Sequence, residues 1–283
     1  MFHLRKISKS AVASCRLLSS CQVKSLVGIA VDDEGIATVQ IQRAPVNSLN
    51  LESLQALHDS ISEVEQNKCK GLILTSASPT VFSAGLDLTE FHNPDFKRLA
   101  NLREIFLDVV VKLFGTDIIT SAAINGYTGA GACILAMACN YRSMTTGKAI
   151  IGLNDTAVGI PPAKWIVDLM TRLMGPRHTE YALTSSFMFP AERALQTGLI
   201  DEVASDKMDA VQKCKAFIKS YDHISPAVRA ATKRSMRQEY LTELEKNRKQ
   251  YATDFMGIMA TPAFQDAIDQ YIRNLKKKRA VKV

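Results

Sequence analysis

The sequence has no Cys-x-x-Cys pair and no two histidines at helical spacing. Its six cysteines, at positions 15, 21, 69, 133, 139 and 214, are far apart, and its five histidines are scattered. A zinc site needs closely spaced ligands, and a disulfide scaffold needs a dense and regular set of cysteines. The spacing therefore supports neither a metal centre nor a disulfide framework, and it predicts reduced cysteines in a core.

Acidic residues are missing from the first 31 positions. The segment MFHLRKISKSAVASCRLLSSCQVKS contains five basic residues and many serines instead. This composition is typical of a mitochondrial transit peptide, and its short, interrupted apolar runs fit neither a secretory signal nor a membrane span. We therefore expect residues 1–25 to be a transit peptide, residues 26–283 to form one folded domain, and the mature protein to lie in the mitochondrial matrix.

Aromatic residues are not interleaved with the positive charge, which is concentrated at the two ends of the chain. The formal charge is +7, and subtracting the five charges of the first segment leaves about +2 for the rest. Nucleic-acid binding normally needs a basic face with stacking platforms. We therefore expect no nucleic-acid partner, and we interpret the C-terminal run NLKKKRAVKV as a solvated helix end.

Charge is also missing from the 24 residues from 118 to 141, a length that could span a membrane. Asn125, Gly126, Gly129 and Gly131 interrupt this stretch in its middle. A buried strand, a glycine-rich turn and a buried helix fit the pattern better, so that we expect no transmembrane segment.

Apolar periodicity elsewhere alternates between strands and helices. LVGIAV and IATVQIQ flank the turn residues DDEG as a hairpin would, and GLILTSA and IITSAAIN read as buried strands. Helices are predicted over 51–66 with Asn50 as the cap, over 95–114, over 163–174 and over 190–198. More amphipathic helices follow from about 205. The order predicts a single α/β domain with a mostly buried sheet and a helical C-terminal extension.

Two glycine loops each follow a buried strand. SAGLD spans 83–87, and NGYTGAGAC spans 125–133, where a helix begins near Gly131. Glycine permits close approach of a ligand to free backbone amides, and the helix directs its positive end to the same place. Either loop alone is better explained as a tight turn, and neither matches a nucleotide-binding fingerprint.

The stretch IGLNDTAVGI places Asp155 and Asn154 in apolar sequence. Because desolvating a charge is costly, such an acid either faces water or is held dry for chemistry. Taken alone, this window favours the first interpretation.

Together, SAGLDL, AINGYTGAGAC, GLNDTAVGI and PAERALQTGLIDEV resemble the crotonase (enoyl-CoA hydratase/isomerase) superfamily in order and spacing, over residues 26 to 275. VNSLNLESL, GLILTSASPTVFSAGLDLTEF and IGLNDTAVGI are most similar to its mitochondrial delta isomerases. The resemblance implies an α/β spiral of repeated strand-strand-helix units with a C-terminal helical extension. It also implies an acyl-CoA thioester substrate, a homotrimer, and no metal or other cofactor.

The resemblance also assigns residues. The thioester oxygen would lie between the backbone amides of Leu86 and Gly131, because an enolate needs prealigned donors where its charge forms. Asp155 would be the catalytic base, with Asn154 as a polar contact. The residues expected to bind substrate are Ser83, Ala84, Gly85, Leu86, Asp87, Gly131 and Asn154.

Two departures from the superfamily pattern bear on the reaction. Hydratases carry a second acid where this sequence has Ile134, and a hydrocarbon cannot activate water. A single carboxylate fits an isomerase that shuttles a proton from carbon 2 to carbon 4 of a 3-enoyl-CoA. The isomerases carry glutamate where this chain has Asp155, which is one methylene shorter. An acyl-CoA-binding protein with weak or no activity is therefore the alternative, and hydration or dienoyl isomerisation is a third possibility.

Overall fold

The computed structural model describes residues 26–280, with side chains through residue 274. The predicted transit peptide, residues 1–25, lies outside the described residues. The strands of the described part are β1 (Val27–Val31), β2 (Ile36–Ile41), β3 (Gly71–Ser76), β4 (Val81–Ser83), β5 (Ile119–Ile124), β6 (Tyr127–Gly129), β7 (Tyr141–Thr145), β8 (Ile150–Gly152), β9 (Phe189–Pro190) and β10 (Glu202–Ala204). The helices are α1 (Leu51–Gln66), α2 (Phe96–Gly115), α3 (Gly131–Ala138), α4 (Lys164–Ser185), α5 (Ala191–Thr197), α6 (Lys207–Lys219), α7 (Pro226–Met259) and α8 (Pro262–Ala280).

The larger sheet has six strands in the order β1-β2-β3-β5-β7-β10. β1 and β2 pair antiparallel as the predicted hairpin, and the remaining neighbours are parallel. Every residue of β3 and β5 is buried, as expected for parallel strands covered on both faces. On one face, Ile36, Ile73 and Ile119 pack in a cluster with Cys214 and Ile218 of α6.

A smaller sheet has the order β4-β6-β8-β9, and its first three strands are parallel. Each of these short strands follows a long strand of the first sheet and precedes a helix, giving β3-β4-α2, β5-β6-α3 and β7-β8-α4. The chain therefore repeats a strand-strand-helix unit three times. This confirms the predicted α/β spiral, and it brings the segments that follow β4, β6 and β8 side by side.

Capping residues define the helices that the sequence predicts. The side chain of Asn50 accepts a hydrogen bond from the Ser53 amide at 3.0 Å, and Asp95 caps α2 in the same way. Pro190 precedes α5, and Gly198 ends it with φ of +79°. α4 is longer than the predicted helix over 163–174 because a second helix follows directly after Gly175, whose φ of +72° interrupts the first.

The C-terminal helices α7 and α8 lie on the other elements rather than apart from them. Arg248 of α7 donates hydrogen bonds to Glu104 and Asp108 of α2, both at 2.8 Å. Gln265 of α8 donates to the Phe91 carbonyl oxygen at 2.9 Å. These contacts hold α7 against α2 and α8 against the turn that follows β4.

Cysteines 69, 133, 139 and 214 are all buried, as predicted for core residues, and Cys15 and Cys21 lie outside the described residues. Residues 118–141 contain the predicted buried strand, β5, and the predicted buried helix, α3, and the short strand β6 lies where a glycine-rich turn was predicted. None of the helices in the described part of the chain combines the length and apolarity that crossing a bilayer requires.

Candidate active site

Three loops meet at the carboxyl ends of β4, β6 and β8. Leu86 follows β4 by three residues, Gly131 follows β6 by two, and Asp155 follows β8 by three. Pairing of Ser83 with Thr128 and of Gly129 with Gly152 aligns the three strands. Ligands of α/β proteins characteristically bind at such an edge, because neighbouring loops converge there.

The loop after β4 is held by its own backbone and by Ser83. Ser83 Oγ donates to the Asn47 carbonyl oxygen at 2.6 Å and accepts from the Gly85 amide at 3.1 Å. Gly85 has φ of +86°, and a Cβ there would lie 2.6 Å from the Gly129 oxygen, so only glycine fits. Leu49 donates to Gly85 O and accepts from the Asp87 amide. This bridge turns the Leu86 amide away from Leu49.

Gly131 is the first residue of α3, a helix that is buried along its whole length. A Cβ on Gly131 would lie 3.2 Å from Leu86 Cγ and 3.4 Å from the Leu86 nitrogen, so the two residues are in close contact. Among residues 26–280, no turn or cap hydrogen bond is donated by the amide of either residue. The two amides, one of them at a helix N-terminus, therefore lie close together without a turn or cap partner.

Asp155 begins a short 3₁₀ turn after β8. Its carbonyl oxygen accepts from the amides of Val158 and Ile160, each at 3.0 Å, and Gly159 adopts φ of +82° to complete the turn. Burial raises the pKa of the Asp155 carboxyl to about 6, opposed only by a hydrogen bond from its own amide. The residue is partly accessible because it faces a cavity, yet protein surrounds its carboxylate closely enough to disfavour the charge.

The cavity has a volume of about 860 Å³. Of the residues predicted to act or bind, six line it, namely Ala84, Leu86, Asp87, Gly131, Asn154 and Asp155. Ser83 and Gly85 lie behind this wall and hold the loop, as described above. Apolar side chains line much of the rest, including Phe106, Ile134, Val158, Ile160, Trp165 and Phe255.

Asp87 lines the cavity as well, but its surroundings are different. It forms an ion pair with Arg43 at 2.7 Å and accepts hydrogen bonds from the Thr89 amide and hydroxyl at 3.1 and 2.8 Å. Burial acts to raise its pKa, but the bonds from Thr89 and Arg43 outweigh burial and lower it. Asp87 therefore caps the following 3₁₀ turn.

Several cavity residues could not be predicted from local patterns. Arg103 of α2 and Tyr127 of β6 line it, and so do Tyr251 and Phe255 of α7 and Tyr271 of α8. Burial raises the pKa of Tyr127, and the nearby Tyr271 and Asp155 add to this effect. These residues come from elements that are distant in sequence, and only the fold brings them together. Among the described residues, no group of three histidine, cysteine or acidic side chains is placed to hold a metal.

Known proteins resemble this chain over most of its length. The sequence profile described as Enoyl-CoA hydratase/isomerase matches residues 32–279, nearly the whole described chain. The chain belongs to this family. Among family relatives, enoyl-CoA delta isomerase 1, mitochondrial, of Mus musculus is 33% identical over 248 residues, which cover 87% of this chain and 85% of the relative.

Solved structures of the enoyl-CoA hydratase/isomerase family share the fold. The crystal structure of human mitochondrial delta3-delta2-enoyl-CoA isomerase matches with a TM-score of 0.86 and 32% identity, covering 89% of this chain and 99% of that one. An enoyl-CoA hydratase from Bacillus halodurans matches with a TM-score of 0.80 at 22% identity, covering 87% and 100% of the two chains. The second likeness shows the crotonase fold alone, because family members of different activity share it.

Proposed function

We propose that this protein is an enoyl-CoA delta isomerase that moves the double bond of 3-cis- or 3-trans-enoyl-CoA to the 2-trans position in the oxidation of unsaturated fatty acids. The observation that supports it most is a carboxylate with a pKa of about 6 in a largely apolar cavity that is also lined by Leu86 and Gly131, whose backbones lie close together. The relatives named as delta isomerases support the same reaction.

In the proposed mechanism, the thioester oxygen accepts hydrogen bonds from the amides of Leu86 and Gly131. The Asp155 carboxylate removes a proton from carbon 2, and the electrons of that C–H bond form a dienolate whose charge lies on the thioester oxygen. The carboxylic acid of Asp155 then returns the proton to carbon 4, which leaves the double bond between carbons 2 and 3. Each amide donor typically contributes about 2.7 to 4 kcal/mol to such a transition state.

The surroundings of Asp155 suit proton transfer better than hydration. Asp87 cannot serve as a second base, because Arg43 and Thr89 hold it as a carboxylate with a lowered pKa. Ile134 lines the cavity where hydratases of the superfamily carry their second acid. With one available carboxylate and a hydrocarbon wall, the site lacks the pair of acids that would orient and activate water.

The aspartate itself favours one alternative, an acyl-CoA-binding protein with little or no activity. Its side chain is one methylene shorter than the glutamate of the isomerase pattern. A misplacement of about 1 Å can lower a rate by about 10²-fold. The 3₁₀ turn after β8 and the raised pKa of Asp155 support the isomerase, because both prepare this carboxylate to act as a base.

Turnover of 3-hexenoyl-CoA tests the proposal. We expect the purified protein to produce the absorbance of the conjugated 2-enoyl thioester, and Asp155→Asn to abolish it while acyl-CoA binding persists. Asp222→Asn, which removes an exposed carboxylate that pairs with Lys70 away from the cavity, should keep the wild-type rate. If wild type and Asp155→Asn are equally inert but both bind acyl-CoA, the function is acyl-CoA binding without catalysis.

Asp155→Glu measures whether the cavity has adapted to the shorter side chain. If it has adapted, the variant should turn over 3-hexenoyl-CoA no faster than wild type.

We also propose that the mature protein is a homotrimer in the mitochondrial matrix. The composition of residues 1–25 and the mitochondrial relatives support this location. The trimer rests on resemblance to the superfamily. Static light scattering of the purified protein should give about three times the chain mass, and a monomeric mass would contradict it.

A further inference from the structure

Arg103 is a buried cation inside the cavity that the proposed reaction does not use. It lies on α2, it is 8% exposed, and it lines the same cavity as Leu86 and Asp155. Charged side chains are rarely buried unless partners satisfy them. In the described part of the chain, its ion pair is with Glu104, at 2.9 Å from Nη1.

The negative charge of Glu104 is shared between two arginines, so it does not fully neutralise Arg103. Arg248 also donates to Glu104, at 2.8 Å, and the Glu104 side chain is 43% exposed on the outer side of α2. A guanidinium has five N–H donors, so most of those of Arg103 remain. No nitrogen of Arg103 is among the described buried atoms that lack a partner. The remaining donors therefore lie next to accessible space, and the space that Arg103 lines is the cavity.

The position of Arg103 separates it from the reacting carbons. Phe106, one turn further along α2, places a ring carbon 3.4 Å from the Cβ position of Gly131, so this ring borders the paired amides. Arg103 lies about 4.5 Å back along the helix axis from Phe106. It does not contribute to the pKa shift of Asp155, whereas Asp254 of α7 does affect the pKa of Arg103. The charged groups that act on Arg103 therefore belong to α2 and α7 and do not include the base.

We propose that this cavity binds acyl-CoA thioesters whose acyl chain carries an oxygen acceptor, a hydroxyl or a carboxylate, and that Arg103 is the residue that binds this oxygen. The proposal rests on the proposed function only in that the ligand is an acyl-CoA. A plain hydrocarbon chain would leave the guanidinium facing apolar atoms, which is unfavourable for a buried charge. An oxygen acceptor restores charge-assisted hydrogen bonds, which are strong in a poorly solvated site. Asp254 lines the same cavity, so a neutral hydroxyl and a carboxylate are both to be measured.

Binding of saturated thioesters tests this without any turnover. Titration calorimetry on the full chain compares hexanoyl-CoA with 6-hydroxyhexanoyl-CoA and hexanedioyl-CoA, and then the eight-carbon equivalents. We expect at least one oxygenated chain to bind about tenfold more tightly than the plain chain of equal length. Arg103→Met should remove this preference without weakening the binding of hexanoyl-CoA, because an apolar side chain then faces the plain acyl chain. Lys97→Met, which removes one exposed positive charge from the same helix, should retain the preference.

The affinities of the plain and oxygenated thioesters for wild type and Arg103→Met distinguish the possible roles of Arg103. A preference confined to the hydroxyl or to the carboxylate identifies the oxygen acceptor. If wild type shows no preference at either length, or if Arg103→Met keeps it, the proposal is overturned. If Arg103 instead holds a CoA phosphate, Arg103→Met weakens plain and oxygenated thioesters equally, which also overturns it. The saturated thioesters of this series have no double bond to move. Their binding therefore tests the role of Arg103 independently of whether the protein isomerises 3-hexenoyl-CoA.

Discussion

Asp155 and Asp87 line the same cavity, and their pKa values are shifted in opposite directions. The carboxylate of Asp87 has an arginine and a threonine as partners, whereas Asp155 has apolar neighbours and, within the described residues, no cation paired with it. Burial without a partner favours the protonated acid, and a pKa near neutrality is what a general base requires. Neighbours therefore make one aspartate structural and prepare the other for proton transfer.

Activity should depend on pH through Asp155. Only the carboxylate can remove a proton, so kcat/KM should be low in acid and rise with pH through a midpoint near the raised pKa of about 6. An aspartate with its ordinary pKa of 3.8 would give full activity well below that midpoint. Initial rates with 3-hexenoyl-CoA from about pH 4.5 to about pH 8.5 provide the measurement, with circular dichroism at each pH to verify the fold. A flat profile over this range would refute the role of Asp155 as the base.

Among the helices and strands, length decides what the sequence can predict. The hairpin, β3, β5, α1 and α2 are long enough to show an apolar period or a capping residue, and the structure contains each of them where expected. The strands of the smaller sheet have two or three residues each, too few for any period. β7 begins with Tyr141, Arg142 and Ser143, which are buried and do not read as an apolar strand. Its parallel neighbours, not its own composition, make it a strand.

The residues of the candidate site also fall into a group that the sequence predicts and a group that it does not. Leu86, Gly131 and Asp155 were predicted from the resemblance of their motifs to the crotonase superfamily, since each glycine loop alone indicates a tight turn and the Asp155 window alone a solvent-facing acid. Arg103 and Tyr251 could not be found, because their places in the cavity depend on how α2 and α7 pack. A buried arginine in an amphipathic helix looks like any surface arginine in sequence. Packing between distant elements, rather than any local pattern, places these side chains.

The start of α3 carries a prediction of its own. Gly131→Ala would place a methyl group 3.2 Å from Leu86 Cγ and 3.4 Å from the Leu86 nitrogen, in the space that the thioester oxygen would occupy. Because Gly131 is helical and alanine favours helices, the fold should persist. We expect kcat to fall by about 10²- to 10³-fold, because the methyl group would keep the thioester oxygen from the amides at a cost comparable to losing one such donor. Steady-state kinetics provide the measurement.

Gly257→Ala is the matched control for that variant. Gly257 lies in α7, and a Cβ there would meet no atom within 4 Å. This variant should keep wild-type kinetics. If Gly131→Ala also keeps them, the two amides do not hold the thioester oxygen.

The attachment of α7 to the rest of the fold includes a buried lysine. Lys233 of α7 donates to the Ile118 carbonyl oxygen at 3.1 Å and to Asn140 Oδ1 at 3.0 Å, and so connects the helix to the ends of two strands of the larger sheet. Burial, with the nearby charges of Arg237 and Arg229, lowers its pKa to about 7. The same helix lines the cavity through Tyr251 and Phe255, so its attachment affects both stability and the site.

Folding stability should therefore depend on pH through Lys233. Its pKa is about 7 in the folded protein and about 10.5 in the unfolded chain, so the unfolded state binds more protons between these values. The free energy of unfolding should consequently rise as pH increases through this window, and the penalty for charging Lys233 should be fully present below about pH 7.

Urea denaturation from about pH 6.5 to about pH 9.5 measures this dependence. The free energy of unfolding should increase with pH in wild type and should increase less steeply in Lys233→Met. Lys97→Met removes a lysine from the surface of α2 and should retain the wild-type slope. Equal slopes in wild type and Lys233→Met would mean that Lys233 stays charged in the fold, held by its two oxygen acceptors.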